Sequence, residues 1–236
     1  MNILNWLKPK KPPETDRAPR VVLPFFPLHF ITNDGRDLLI ANISTSGVGF
    51  QKTSFATLPP EETVLHGKLR LQDKNYALRL RVVHVSASIV GCIIDPQSSE
   101  YSNDLNHYLD VELSAVVLRP IDTQILKQPP EGKPQWYVGR QNSCELYLVE
   151  NNGELKDFHC TIWGHYFESK KSGHKRFGVV SQAGGGSSSN IYPQAALVED
   201  IKDPSKETMA MALRFLSNVP KIDERIRAQL IDRLRK

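Results

Sequence analysis

In the stretch Ala77-Leu78-Arg79-Leu80-Arg81-Val82-Val83, leucines alternate with arginines. Successive side chains on a β-strand point to opposite faces, so this pattern places the leucines in a core and the arginines in solvent. The run Leu69-Arg70-Leu71 shows the same alternation on the other side of the turn residues Asp73-Lys74-Asn75. These runs predict two neighbouring strands in a sheet that has one buried face.

Four further segments of strand length surround these two runs between residues 21 and 95. The six predicted strands are Val21–Phe30, Arg36–Ile43, Val48–Lys52, Val64–Leu71, Tyr76–Val85 and Ser88–Asp95. No helical pattern lies between them, and turn residues separate them. Closely spaced strands without intervening helices predict an antiparallel sheet that closes into a small barrel.

One helix is predicted directly after the barrel. In Ser98–Val117, Leu105, Leu109 and Leu113 recur at a spacing of four residues, which gives the helix one apolar stripe. A single stripe suits a helix that covers one end of the barrel. Pro120 ends the helical pattern, and the proline-rich segment 127–134 follows as the predicted domain linker.

The second half of the chain begins with strand patterns and ends with two helices. Its predicted elements are the strands Gln135–Gly139, Glu145–Val149, Leu155–Phe167 and Arg176–Ser181, and the helices Ser205–Ser217 and Asp223–Arg235. The predicted fold is therefore mainly β: a six-stranded antiparallel barrel with a C-terminal helix, followed by an α+β domain that ends in two helices. The predicted divisions are a flexible arm at 1–16, the barrel domain at 17–119, the linker at 127–134, and the α+β domain at 135–236.

Composition limits the class of protein. Of 236 residues, 40% are apolar and 24% charged, which is close to average globular usage and excludes a wholly disordered or fibrous chain. The net charge of +4 favours an anionic partner without requiring a nucleic acid. Apolar runs are too short to cross a bilayer, so no membrane insertion is expected. Three cysteines make an odd, sparse set that fits a reduced cytoplasm.

No pattern of catalytic or metal-ligating residues is found in the sequence. It lacks a GxxxxGK[ST] loop, a GxSxG elbow and an HExxH helix, so we expect no enzyme activity. The candidate metal ligands are Cys144, His159, Cys160, His165 and His174. On one extended strand, Leu155–Phe167, His159 and His165 would lie about 20 Å apart. We therefore predict no metal site. One face of that strand would carry His159, Trp163, His165 and Phe167, and the other Phe158, Cys160, Ile162 and Tyr166.

The chain's most informative motif lies between the second and third predicted strands, in Asn42-Ile43-Ser44-Thr45-Ser46-Gly47-Val48-Gly49-Phe50. If Ile43 is in the core, Asn42 and Ser44 both point outward. Gly47 permits a tight turn and lets a bound molecule approach the backbone. Taken by themselves, these residues could form a plain β-turn.

Asn42-x-Ser44-x-x-Gly47 resembles the (D/N)xSxxG signature of the PilZ domain, the bacterial receptor module for cyclic di-GMP. The basic stretch that ends in Pro19-Arg20 resembles the RxxxR loop of that family. The order of elements is also similar, with a late strand that contains Gly91 and then a helix. The resemblance covers about residues 17–118, which is half of the chain.

The resemblance implies a PilZ-like barrel in a non-enzymatic, cytoplasmic bacterial signalling protein that couples second-messenger binding to a protein partner. It implies no cofactor, and cyclic di-GMP as the ligand. Arg20, with Arg17 beside it, would hold phosphate, while Asn42, Ser44 and Gly47 would contact a guanine. Arginine suits such a ligand because its planar guanidinium can donate two hydrogen bonds to a phosphate and can also stack on the face of a base. Nucleic acid is not expected as a partner, because residues 64–85 offer only Tyr76 for stacking bases.

One departure from the family pattern leaves an alternative open. Asp16 stands four residues before Arg20, where the family has its first arginine. A carboxylate within ~6 Å of a phosphate costs roughly 1–3 kcal/mol. The alternative is a degenerate PilZ-like adaptor that binds a protein and no nucleotide.

The substitution Asp16→Arg separates these two hypotheses. In a receptor it removes a like-charge clash and should tighten binding of cyclic di-GMP at least about tenfold, measured by titration calorimetry. An unchanged affinity would show that position 16 lies away from the ligand.

Overall fold

The computed structural model describes residues 18–95, 98–122, 131–139, 143–180 and 198–236. The predicted arm 1–16, Arg17 and the first half of the predicted linker, residues 127–130, lie outside the described residues. Within these ranges no helix is long and apolar enough to cross a membrane.

The first sheet is a closed barrel with one extra strand. Its strands are β1 (Val21–Val22), β2 (His29–Thr32), β3 (Asp37–Ser44), β4 (Gly47–Gln51), β5 (Val64–Leu71), β6 (Lys74–Val85) and β7 (Ile89–Ile94). They are ordered β1-β3-β2-β5-β6-β7-β4, and β4 also pairs with β3, which closes a six-stranded barrel. All the pairings are antiparallel. The predicted mainly β fold with a six-stranded antiparallel barrel is confirmed.

The alternation that predicted the barrel is present in β6. Leu78, Leu80 and Val82 are buried in the barrel core, while Arg79 and Arg81 are exposed. Burial of each such side chain contributes about 1.5–3 kcal/mol. The period of two therefore fixes which face of the strand is buried.

The prediction of one strand over Val21–Phe30 is wrong. β1 and β2 lie end to end along the same edge of β3, but residues 23–28 leave the sheet between them. Pro24 and Pro27 lie in this loop and have no N–H to donate to a ladder. The loop instead turns Phe25 and Phe26 toward the C-terminal helices, where Arg235 and Arg214 lie over their rings.

The helix predicted over Ser98–Val117 is two helices, α1 (Ser99–Tyr108) and α2 (Asp110–Val116). It is interrupted at Leu109, where ψ is 12° and not the helical value near −42°. Because of this interruption, the two helices can pack in different hydrophobic cores. α1 places Tyr101 and Leu105 in the barrel core, as the prediction of a lid requires, while α2 contributes to the core of the second sheet.

The second sheet is an antiparallel meander in strict chain order. Its strands are β8 (Arg119–Ile121), β9 (Lys133–Val138), β10 (Cys144–Asn151), β11 (Glu154–Ile162), β12 (His165–Ser169), β13 (Lys175–Val180) and β14 (Val198–Asp200). Leu155–Phe167 was predicted as one strand and is instead a hairpin. Trp163 and Gly164 form its turn, both with positive φ (48° and 83°).

The hairpin changes which side chains share a face. Cys160 pairs with Phe167 across it, so Phe167 lies in the core and not beside His159 as predicted. Tyr166 was predicted to share a face with Cys160, and its ring instead stacks near His159, with centroids 6.0 Å apart. The side-chain period restarts after a turn, so a missed hairpin reverses every later assignment.

The last two helices match their predictions closely. α3 (Lys206–Asn218) and α4 (Glu224–Arg235) begin after the N-caps Ser205 and Asp223, whose side chains accept backbone hydrogen bonds. Leu216, Ile226 and Leu230 are buried against the second sheet. The helix pair therefore belongs to the core of the second sheet.

Helix α3 also contacts the first half of the chain. Arg214 forms a bidentate ion pair with Glu112 of α2, with N–O distances of 2.6 and 2.7 Å. Arg214 further donates to the carbonyl of Tyr108 at 2.7 Å. The predicted domain boundaries therefore stay a prediction: α2 and the first residue of β8, Arg119, were placed within 17–119 and contribute to the second sheet and its core.

Candidate ligand-binding surface

The motif Asn42-x-Ser44-x-x-Gly47 forms the tight turn between β3 and β4. Asn42 pairs with Gly49, Ile43 with Val48, and Ser44 with Gly47. Ile43 is fully buried in the barrel, so Asn42 and Ser44 point to the outer face, as predicted. The hydroxyl of Ser44 donates to the carbonyl oxygen of Gly47 at 3.3 Å, which stabilises the turn.

Strand β1 brings Arg20 to this motif. Val21 pairs with Ile43 and Val22 with Asn42, so one step further along the register places Arg20 opposite Ser44. The Arg20 side chain crosses the outer face of β3. A Cβ atom added to Gly47 would lie 3.4 Å from Nη2 of Arg20 and 3.8 Å from Oγ of Ser44. The absent side chain at Gly47 thus leaves room for the guanidinium.

The side chain of Asn42 lies across Gly49. A Cβ atom at Gly49 would come within 2.7 Å of Oδ1 and 2.9 Å of Nδ2 of Asn42, so the amide needs a glycine beneath it. Oδ1 of Asn42 is buried and has no hydrogen-bond partner within the described ranges. An unpaired buried acceptor costs about 1–3 kcal/mol, and a ligand donor would remove that cost.

Three glycines give this outer surface its shape. Gly47 and Gly49 of β4 and Gly91 of β7 are buried, and Gly49 pairs directly with Gly91. We call these three residues the glycine patch. Beneath it lies the core residue Cys92, whose thiol pKa is raised to about 12 by burial. The glycines therefore leave room for side chains to lie close to the backbone of two strands, and no reactive thiol lies below them.

Charge at the patch comes from Arg20. Its side chain is exposed, and no carboxylate within the described part of the chain pairs with it. The nearby outward arginine of β6, Arg81, is by contrast bound to Glu62 at 3.1 Å. An unpaired guanidinium above backbone glycines is suited to bind an anion such as a phosphate.

The same strand β1 is held from its other side by the second half of the chain. The backbone N–H of Val22 donates to Oδ1 of Asn218 at 2.8 Å, and Nδ2 of Asn218 donates to the Val22 carbonyl at 3.0 Å. Asn218 is the last residue of α3 and its side chain is buried. Its amide thus pairs with β1 much as a neighbouring strand would.

The candidate metal ligands of the second sheet do not converge. Cys144 and Cys160 are buried in the core, while the His159 ring stacks on Tyr147 outside it, with centroids 5.1 Å apart. Burial lowers the pKa of His159. The described residues contain no group of three or more side chains that could hold a metal ion.

Four of the five predicted site residues are therefore brought together: Arg20, Asn42, Ser44 and Gly47. Arg17 lies outside the described residues. Sequence reasoning missed Asn218 and His84, whose ring lies over Gly91. Neither belongs to a motif, so only the strand register and the helix position reveal them.

The chain was compared with protein families, curated proteins and solved structures. No family model matches the chain, and no curated protein matches it. Among solved structures, the chain is similar to the PilZ domain of CeSA from a cellulose-synthesizing bacterium. That likeness has 13% identity and a TM-score of 0.32, and it covers 40% of this chain and 99% of that one.

Proposed function

We propose that this chain is a non-enzymatic bacterial signalling protein, resident in the cytoplasm, that binds cyclic di-GMP on the outer face of its barrel. The observation that carries the proposal is the position of Arg20. Its unpaired guanidinium lies over Gly47, next to Ser44 and on the face that presents Asn42. Strand register alone brings together residues that are more than 20 positions apart in the chain.

Each group on this surface matches a part of a cyclic dinucleotide. Arg20 supplies a charge-assisted hydrogen bond to a phosphate. The amide of Asn42 offers a donor and an acceptor to a guanine edge, and its unpaired oxygen gains a partner. Gly47 and Gly49 leave room for the side chains of Arg20 and Asn42 to lie close to the strand backbone. Ser44 is only 4% exposed and holds the turn in shape beneath Arg20.

Binding of a ligand at Arg20 can change the conformation of the second half of the chain through β1. Arg20 directly precedes β1, a two-residue strand between β3 and the amide of Asn218. A ligand that prefers one position of Arg20 also prefers one position of β1, and therefore one arrangement of the end of α3. This linkage gives a route by which second-messenger binding changes the surface that the C-terminal half presents to a protein partner.

Titration calorimetry of the full chain with cyclic di-GMP tests this proposal. We expect saturable binding with a micromolar or tighter dissociation constant. Cyclic di-AMP is the matched control, because it keeps both phosphates and changes only the bases. We expect it to bind at least about tenfold more weakly, since the Asn42 amide loses its match to guanine. An absence of binding heat with cyclic di-GMP, confirmed by equilibrium dialysis, would favour the adaptor that has lost nucleotide binding.

A further inference from the structure

A cross-strand row of outward positions extends the glycine patch beyond the motif. Asn42 of β3 pairs with Gly49 of β4, Gly49 pairs with Gly91 of β7, and Gly91 pairs with His84 of β6. The row thus has a polar side chain at each end and two glycines between them. Glycine in a strand interior is unfavourable, so two paired glycines on adjoining strands indicate a close approach from above.

His84 covers one of these glycines as Asn42 covers the other. A Cβ atom at Gly91 would lie within 2.7 Å of Nε2 of His84, and still closer to Nδ1 and Cε1. The edge of the imidazole that carries both nitrogens therefore lies on the patch. The register of β6 shifts between Val82 and His84, and this irregularity directs the ring onto Gly91. No other described residue hydrogen-bonds to the His84 ring.

We propose that His84 is a further ligand-contacting residue of this surface, an inference that rests on the proposed function. Arg20 directly precedes β1, while Asn42 lies on β3 and His84 on β6, and the three side chains lie over the patch from two sides. A neutral imidazole has one donor and one acceptor nitrogen, so it can hydrogen-bond either a phosphate oxygen or a guanine edge. The site then spans four adjoining barrel strands, and the second wall for the dinucleotide lies opposite Arg20.

Calorimetry with cyclic di-GMP on single variants tests this assignment. We expect His84→Ala to weaken binding about tenfold. His84→Phe should weaken binding by the same factor, because phenylalanine keeps a flat ring and lacks both nitrogens. The affinity of His84→Gln should stay within about threefold of that of the wild type. His66→Ala is the matched control, because His66 is an exposed histidine of β5 that pairs with Arg79, away from the patch. Its affinity should be unchanged.

A double-mutant cycle with Gly91 separates a ligand contact from simple packing. Gly91→Ala pushes the His84 ring off the patch and should weaken binding about tenfold in the wild type. In the His84→Ala background it should have little further effect. An equal loss in both backgrounds, or wild-type affinity in folded His84→Phe, would overturn the assignment of His84 and leave the proposed function standing. If the wild type itself does not bind cyclic di-GMP, the proposed function and this inference both fall.

Discussion

Replacing Arg214 by alanine is expected to lower the free energy of unfolding by about 3–5 kcal/mol. The reason is the burial of its partner, since the Glu112 side chain is only 1% exposed. Without Arg214 the carboxylate would keep its desolvation cost and lose both charge-assisted hydrogen bonds. The ring contacts of the guanidinium with Phe26 and Tyr108 would be lost as well. Urea denaturation followed by circular dichroism measures the change.

Two variants control this prediction. Arg225→Ala removes an exposed arginine of α4 and should change the free energy of unfolding by no more than about 0.5 kcal/mol. The double variant Glu112→Leu with Arg214→Leu should recover most of the loss, because an apolar pair carries no buried charge. If Arg214→Ala were as stable as the wild type, this ion pair would not hold the two halves together.

Replacing Arg20 by alanine is expected to weaken binding of cyclic di-GMP about 10- to 100-fold. A charge-assisted hydrogen bond contributes about 1.5–3 kcal/mol, and each 1.4 kcal/mol is about tenfold in affinity. Since Arg20 is exposed and has no ion pair within the described residues, the fold should not depend on it. The thermal midpoint of the variant should therefore match that of the wild type, while calorimetry shows the loss of affinity.

The matched control is Arg70→Ala. Arg70 is an exposed arginine of β5 that donates to the carbonyl of Gln72, away from the glycine patch. Its removal should leave the affinity for cyclic di-GMP unchanged. Binding that survives Arg20→Ala at full strength would refute the assigned register of the site and would place the phosphate elsewhere.

The barrel was predictable from the sequence because its strands alternate clearly and proline-, glycine- and asparagine-containing turns separate them. Two errors arose where a strand pattern continued through a break. Pro24 and Pro27 were visible signals of the first break, and Trp163-Gly164 of the second. The interruption at Leu109 had no local signal, because it depends on the two separate cores that α1 and α2 enter.

Some residues of the candidate site could likewise be predicted from the sequence, and others could not. Asn42, Ser44 and Gly47 were predictable because they lie within one short motif. Arg20 was identified by its position before the first strand, and the register of β1 explains its role. His84 and Asn218 could not be predicted, because their neighbours on the surface come from distant parts of the chain. Only pairing across strands and helix packing bring them to the site.

The central claim is that the face formed by Arg20, Asn42 and the glycine patch binds cyclic di-GMP. Amide chemical shifts of the isotope-labelled full chain, recorded during titration with cyclic di-GMP, test it most directly. We predict that the largest changes fall at residues 20–22, 42–49 and 91, with a smaller change at the side-chain amide of Asn218, which the ligand does not touch. No changes at saturating ligand, or changes confined to the second sheet at residues 133–180, would contradict the claim.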